Sequence, residues 1–513
     1  MRNNKYTSLC LILIYILGLN NCSNKSDEEP KDDSNQLIFA IDLIESVNSS
    51  QIALDGLVTQ SGQFREFGIC WSTDPLPNVE DNILAVSLDG DEFSTLITEL
   101  TPGTKYYFRA YATISGLANG GLLEYSEQKE FLHIPIGPTI VKQTSYTFGS
   151  NFYEYASSSI KTFDGGILVS GSFQARFSNT NSGVLLLKYN QELELQWKLE
   201  LRDLEISEFV NQVIQDSEGN FLLVSTRYRP QPEPNLIKVS QSGNLVWQKR
   251  LFERVNNRSE RYSATSIIET SDGNYTITGN WNPQSAAPAE SNFALIKTTK
   301  EGDVLSIAQF GEANNNEIGT SLEESPSGEL LLIGSAESDN DDTNMRITKF
   351  NPDGSTIWTK DFGGPRNEFP QASLQTSDGN LIIAGTSTFQ GHDLQAWLIK
   401  IDWNGSIIWE RTISNPGQTI QISGYSGISE DQSGNLLFSA MSSSSTYGIK
   451  LNSIGKFIWD TPFREFGGSN GTSSMFELDD GHIVLIGKKQ DSEINSTEVS
   501  DVWLVKMKEE PFN

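Results

Sequence analysis

The sequence predicts an all-β chain in which a small sandwich precedes a closed ring of seven four-stranded sheets. Three observations predict it. Gly, Ser, Asn and Thr are abundant, aromatics reach 10% and Met occurs only 5 times, a balance that suits strands and turns over helices. Residues 36–135 read as short alternating apolar runs separated by turn signals, as a sandwich requires. From residue 137 onward a unit of about 53 residues recurs seven times.

At 513 residues the chain exceeds one hydrophobic core and has room for two or three domains. Its formal charge of −29 repels phosphates and argues against nucleic acid as a partner. Cys10, Cys22 and Cys70, with His133, His392 and His482, fall at no spacing that closes a zinc site, and disulfides are not expected.

The first residues read as an address. Arg2 and Lys5 precede the apolar run from Leu9 to Leu17, too short to span a bilayer but right for the core of a signal peptide, here 1–21. Gly18-Leu19-Asn20-Asn21-Cys22 resembles a bacterial lipobox, with Leu at −3 and Cys at +1, although Asn20 and Asn21 depart from the small residues preferred there. That resemblance implies lipidation of Cys22 and anchoring by its acyl chains. Residues 22–35 are an acidic tether, too polar to fold, that resembles the export signal following the lipidated Cys in surface-displayed lipoproteins of some Gram-negative bacteria. An outer-membrane, lipid-anchored, surface-exposed protein is expected.

Within the sandwich, the run from Leu100-Thr101-Pro102-Gly103-Thr104 through Tyr106 to Ala112 resembles the fibronectin type III pattern of Leu, Pro, Thr and Tyr. The resemblance places Tyr106 at a tyrosine corner. Phe67-Gly68-Ile69-Cys70-Trp71 resembles the C strand of the same family, which makes Cys70 a small buried hydrophobe. Such a module is expected to act as a spacer.

The repeat has two markers. Turn glycines stand at Gly165, Gly219, Gly273, Gly328, Gly379, Gly434 and Gly481, each followed six residues later by Gly, Ser or Ala. A strand-ending Lys recurs at Lys188, Lys238, Lys297, Lys349, Lys400, Lys450 and Lys506. Nine residues beyond it comes Trp197, Trp247, Trp358, Trp409 or Trp459, with Ser306 the exception, and a turn Gly lies between at Gly243, Gly302, Gly354, Gly405 and Gly455. Each unit therefore holds four strands, one blade of a β-propeller. The last unit ends without an outer strand, and 139–149, which resembles the segment from Trp358 to Gly363, is expected to supply it and leave no open edge. The pattern resembles a bacterial β-propeller repeat family over nearly all of 138–508, and more distantly the Trp-docked blades of quinoprotein dehydrogenases, which carry an extra residue before the glycine. The expected architecture over 137–513 is a seven-bladed propeller closed by its N-terminal strand.

This strand order puts the tight first-to-second and third-to-fourth turns on one rim and the longer, varied connections on the other. The second rim is where recognition is expected, with Arg229, Trp281, Arg366, Phe389 and His392 as the candidate ligand-binding face. Eleven residues before the turn glycine stand Glu154, Glu208, Glu317 and Glu368, with Tyr262, Ser423 and Asn470 in the other units. A carboxylate ring about a channel would suit Ca²⁺; the alternative is one structural contact repeated. The Trp series is expected to pack blade on blade, and the recurring Lys to lie along the ring with its amine in water.

No Ser/His/Asp or Cys/His set is visible. The chain is therefore expected to be a non-enzymatic binding or scaffold lipoprotein whose propeller recognises a glycan, peptide or protein, without a cofactor. The alternatives are a hydrolase or lyase using channel-facing carboxylates such as Glu317 and Glu368, and a quinone-linked oxidoreductase, which the distant resemblance implies.

Overall fold

The computed structural model describes residues 39–509 apart from 49, 60–63, 102, 115–121, 134–136, 148–151, 176–181, 203–206, 229–231, 252–260, 283–290, 312–315, 338–341, 365–366, 390–392, 414–419, 423–426, 443–444, 464–471 and 492–498. Every regular element among the described residues is a strand.

Between 39 and 132 two antiparallel sheets form. One joins Phe39–Asn48, Gln51–Val58 and Glu92–Ile97; the other is built on Phe64–Ser72 and Lys105–Ile114, flanked by Asn82–Ala85, Leu122–Tyr125 and Lys129–Leu132. Alternate side chains turn inward, so Ile52 and Leu54 of one sheet share a core with Phe67, Ile69, Phe108 and Ala110 of the other. The Tyr106 hydroxyl accepts the Thr101 N–H at 3.0 Å. Cys70 is fully buried, and burial pushes its thiol up to about 11.

From 139 to 508 the described strands make seven antiparallel sheets in a β-propeller-like succession. Sheet 1 spans 152–202, sheet 2 207–250, sheet 3 261–310, sheet 4 317–362, sheet 5 368–413 and sheet 6 421–463. Sheet 7 takes three strands from 472–508 and its fourth, Thr139–Tyr146, from the far end of the repeat region. That pairing sets Val502 opposite Tyr146 and Lys506 opposite Lys142.

Local chemistry explains the hairpins. In sheet 2 the Gly219 N–H donates to the Asp216 carbonyl at 2.8 Å and the Asp216 N–H to the Asn220 carbonyl at 2.8 Å, with Gly219 at φ 82, open to glycine at little steric cost. The equivalent pair of bonds recurs in each first-to-second turn. The first strand then bulges, for example between Val210 and Gln212. The second strand passes close to that bulge, and a Cβ on Gly279 would come within 1.8 Å of the Ser263 carbonyl oxygen. The same close approach explains Gly171, Gly334 and Gly385, each six positions after its turn glycine.

Successive sheets interlock through their faces. Leu168, Val184 and Leu186 of sheet 1 pack on Val210, Phe221 and Leu223 of sheet 2. The pattern continues round until Val484, Ile486 and Leu504 of sheet 7 meet Ile167, Val169 and Leu187 of sheet 1. First strands lie beside first strands throughout, the last beside the first. The N-terminal sandwich rests against the outer strand of sheet 6, and Arg411 of sheet 5 and Lys456 of sheet 6 reach Glu45 at 3.5 and 3.8 Å.

Candidate functional site

The tight-turn rim is closed by charge. All seven recurring lysines place Nζ on a carboxylate of their own sheet's first-to-second turn: Lys188 on Asp164 (3.0 Å), Lys238 on Asp216 (2.8 Å), Lys297 on Asp272 (2.7 Å), Lys349 on Glu329 (2.7 Å), Lys400 on Asp378 (2.6 Å), Lys450 on Asp431 (2.8 Å) and Lys506 on Asp480 (2.7 Å). This corrects the expectation of amines in water, since six of the seven lysines are buried. A buried ammonium requires an anion, and the hairpin supplies one. Burial opposes ionisation of these acids, but the Lys400 ammonium and the Thr376 hydroxyl hold Asp378 down at about 2. The pairing acid stands three before, one before or one after the turn glycine, so a search at fixed spacing passes over it.

Neighbouring sheets also cap each other's turns on this rim. Glu269 of sheet 3 accepts the Ser217 N–H and hydroxyl of sheet 2 at 2.6 and 2.7 Å. Glu324 does the same for Ser271, and Glu430 for Ser377. Gln215 accepts the Phe163 N–H, and Glu477 the Gln432 N–H. Where the ring closes the polarity reverses, with Lys161 of sheet 1 donating to Asp479 of sheet 7 at 3.0 Å.

The Trp series docks sheet on sheet. Trp197 lies over Gly243 in the next sheet's turn, where a Cβ would come within 2.6 Å of the indole, and Nε1 donates to the Gln241 carbonyl at 3.1 Å. Trp247, Trp358 and Trp409 stand equally against Gly302, Gly405 and Gly455. Ser306 breaks the series, and Gly354, its counterpart, has open space around it. Trp459 turns its Nε1 to Glu509.

The four recurring glutamates are buried at the start of first strands on the opposite rim. Glu208 accepts from Ser225 Oγ and Asn235 Nδ2, both at 2.6 Å, with Arg227 Nε at 3.8 Å. Glu317 takes Arg346 Nη1 at 3.1 Å, while the same guanidinium forks onto Asp361 at 2.7 and 2.9 Å. Glu368 accepts from Ser387 Oγ at 3.0 Å. Glu154 lies where Ser500 Oγ donates to its backbone carbonyl at 3.1 Å. Among the described residues no three of His, Cys, Asp or Glu gather as a metal-binding group. Glu208, Glu317 and Glu368 each meet partners of their own sheets, and Ser423 and Asn470, at the same register, lie outside the described residues.

One cavity adjoins this glutamate register. About 440 Å³ opens in the seam between sheets 4 and 5, lined by Asp361, Glu368, Trp397, Glu410 and Thr412. That volume falls within the usual range of small-molecule sites. Trp397 is buried and donates Nε1 to Glu410 at 2.6 Å; Asp361 and Glu410 remain exposed. Sequence spacing missed Trp397, Asp361 and Glu410 because none belongs to the repeat pattern.

Of the expected ligand face, Trp281 is the penultimate residue of the strand Tyr275–Asn282, opposite Tyr262 and half-buried, and its Nε1 has no hydrogen-bond partner among the described residues. Phe389 ends the strand Leu381–Phe389. Arg229, Arg366, His392 and the lipidation candidate Cys22 lie outside the described residues.

No family profile matches the sequence, and no curated protein matches it. Among solved structures the chain is similar to a protein of unknown function from Dyadobacter fermentans, at 12% identity and TM-score 0.41 over 72% of this chain and 100% of the other. It is likewise similar to an ulvan lyase solved with a GlcA–Rha3S ligand, at 11% and 0.44 over 71% and 96%. A Hadza microbial sialidase follows at 9% and 0.40 over 83% and 95%. Likeness at this level carries nothing about ligand or chemistry to this chain.

Proposed function

We propose that this chain is a lipid-anchored binding protein of the outer-membrane surface. In this reading 1–21 is a signal peptide, Cys22 is lipidated, 36–135 is a fibronectin type III-like spacer, and 137–513 is a seven-bladed β-propeller that recognises a glycan, peptide or protein. The observation that carries the reading is the contrast between rims. One is consumed by its own ion pairs and caps. The other receives every longer connection, and the seam cavity of about 440 Å³ opens toward it, against about 300 Å³ beside Asp164 and Lys188 on the tight-turn rim. Saccharide and peptide arrays probed with soluble 35–513 test it. Binding is expected that Glu410→Gln weakens and Ser242→Ala, in a third-to-fourth turn, leaves intact; equal loss in both variants, or no ligand, overturns the reading. Cys22→Ser is expected to release the protein from the membrane fraction.

A second reading, a saccharide hydrolase or lyase, draws support from Glu368 sharing the cavity with Asp361 and Glu410. It requires product release that Glu368→Gln abolishes while binding persists.

A further inference from the structure

The seven seams are not equivalent, and the one between sheets 4 and 5 departs from the rest in two independent ways. The first is at the tight-turn rim. Six seams carry a cap from the last residue of one first strand to the neighbouring turn. In the seventh the turn residue is Pro326, which has no N–H to donate, and the facing residue is Gln375.

The second is inside the seam. Five residues before the turn glycine the other sheets carry Ile160, Ile214, Ile268, Leu374, Ser429 and Phe476. Of these, Ile160, Ile214 and Ile268 pack into the core shared with the next sheet, as does Leu374. Sheet 4 has Glu323, whose carboxyl meets Ser373 Oγ of sheet 5 at 2.7 Å. The 440 Å³ cavity opens in the same seam toward the opposite rim.

We infer that the seam between sheets 4 and 5 is the point at which the ring loosens, and that the charge state of Glu323 sets how far. Protonated, Glu323 can stand in an apolar seam with one hydroxyl partner. Ionised, it places an unpaired anion there.

The charged groups on the strands around it are committed elsewhere: Glu317 to Arg346, Glu324 to Ser271, Glu269 to Ser217, Glu337 to Asn316, Lys349 to Glu329 and Glu368 to Ser387. Glu323 is half-buried at the surface of the seam, and loss of water around its carboxyl pushes it up to about 7, with the Ser373 bond pulling the other way. Because the folded value is raised, the folded state binds the extra proton. The stability it confers is complete below the unfolded value of about 4.5 and is lost as pH rises to about 7. At the outer edge Trp358 on Gly405 and Lys360 on the Gly405 carbonyl (3.3 Å) keep the sheets together, so the loosening is local to the inner, tight-turn side.

Hydrogen exchange of the full chain, corrected for intrinsic rates, tests this at about pH 5 and about pH 8. Amides of Glu368–Gln375 are expected to exchange roughly tenfold faster at the higher pH, while the corresponding first strands of other sheets stay level. Glu323→Gln and Glu323→Ile should each remove the difference, and Pro326→Ser with Gln375→Glu should reduce exchange at both pH values. Persistence of the pH effect in Glu323→Gln, or equal exchange at all seams, overturns the inference. The test needs no ligand and stands apart from the binding proposal.

Discussion

The two rims of the ring are built on opposite principles. On the tight-turn rim every sheet repeats one solution: a glycine hairpin, a lysine, buried in all but sheet 3, on a turn carboxylate, and in most seams a cap from the neighbour. On the other rim the recurring glutamates find different partners: Arg227, Ser225 and Asn235 for Glu208, Arg346 for Glu317, and Ser387 for Glu368. Repetition marks where stability is made, and divergence marks where the sequence is free to acquire a ligand.

The largest test removes what makes the ring a ring. Deleting 139–146 strips sheet 7 of its fourth strand and exposes Val499–Lys508 as an open edge. Cooperative unfolding is expected to vanish and aggregation to appear; an unchanged melt would show that the rim contacts suffice without closure. Next in size is Lys238→Met, which leaves Asp216 buried without a cation and held only by the Tyr275 hydroxyl and the Asn220 N–H. With both side chains at 7% exposure or less, the expected loss is about 3–5 kcal/mol by denaturant unfolding.

A paired comparison sharpens the role of the Trp series. Gly243 and Gly354 both adopt left-handed backbone, at φ 83 and 86, so either change to Ala should cost about 1–2 kcal/mol. Only Gly243 also meets an indole. Gly243→Ala should therefore destabilise more than Gly354→Ala, and equal losses would assign the Trp no docking role.

The smallest effect concerns acid. Asp378 is held at about 2 by Lys400 and is half exposed, so it lends a modest, solvent-screened stability above the ordinary Asp range that fades as pH falls toward 2. Asp378→Asn should lower stability at neutral pH by that modest amount and leave it nearly unchanged near pH 2, which flattens the acid part of the stability profile.

The repeat spacing made the hairpins, the sheet boundaries and the closing strand legible, because turn glycines and strand-ending lysines must recur at fixed intervals if identical hairpins are to stack. The lysine's partner was harder to read. Its chemistry was plain, but the acid shifts by up to four positions within the turn and still reaches the same ammonium, since a hairpin folds back on itself. The glutamate ring illustrates the reverse difficulty. Glu154, Glu208, Glu317 and Glu368 share a register, yet register does not say which neighbours satisfy each carboxylate.

What the sequence by itself determined is the all-β class, the strand count per repeat and the direction each connection must run, since these follow from local turn chemistry and period. Only the tertiary structure decided which buried charges pair, that Trp397, Asp361 and Glu410 line one cavity with Glu368, and that Glu323 faces an apolar seam. Those contacts join residues tens of positions apart across different strands and sheets. Their energies depend on distance and burial, which no spacing along the chain encodes.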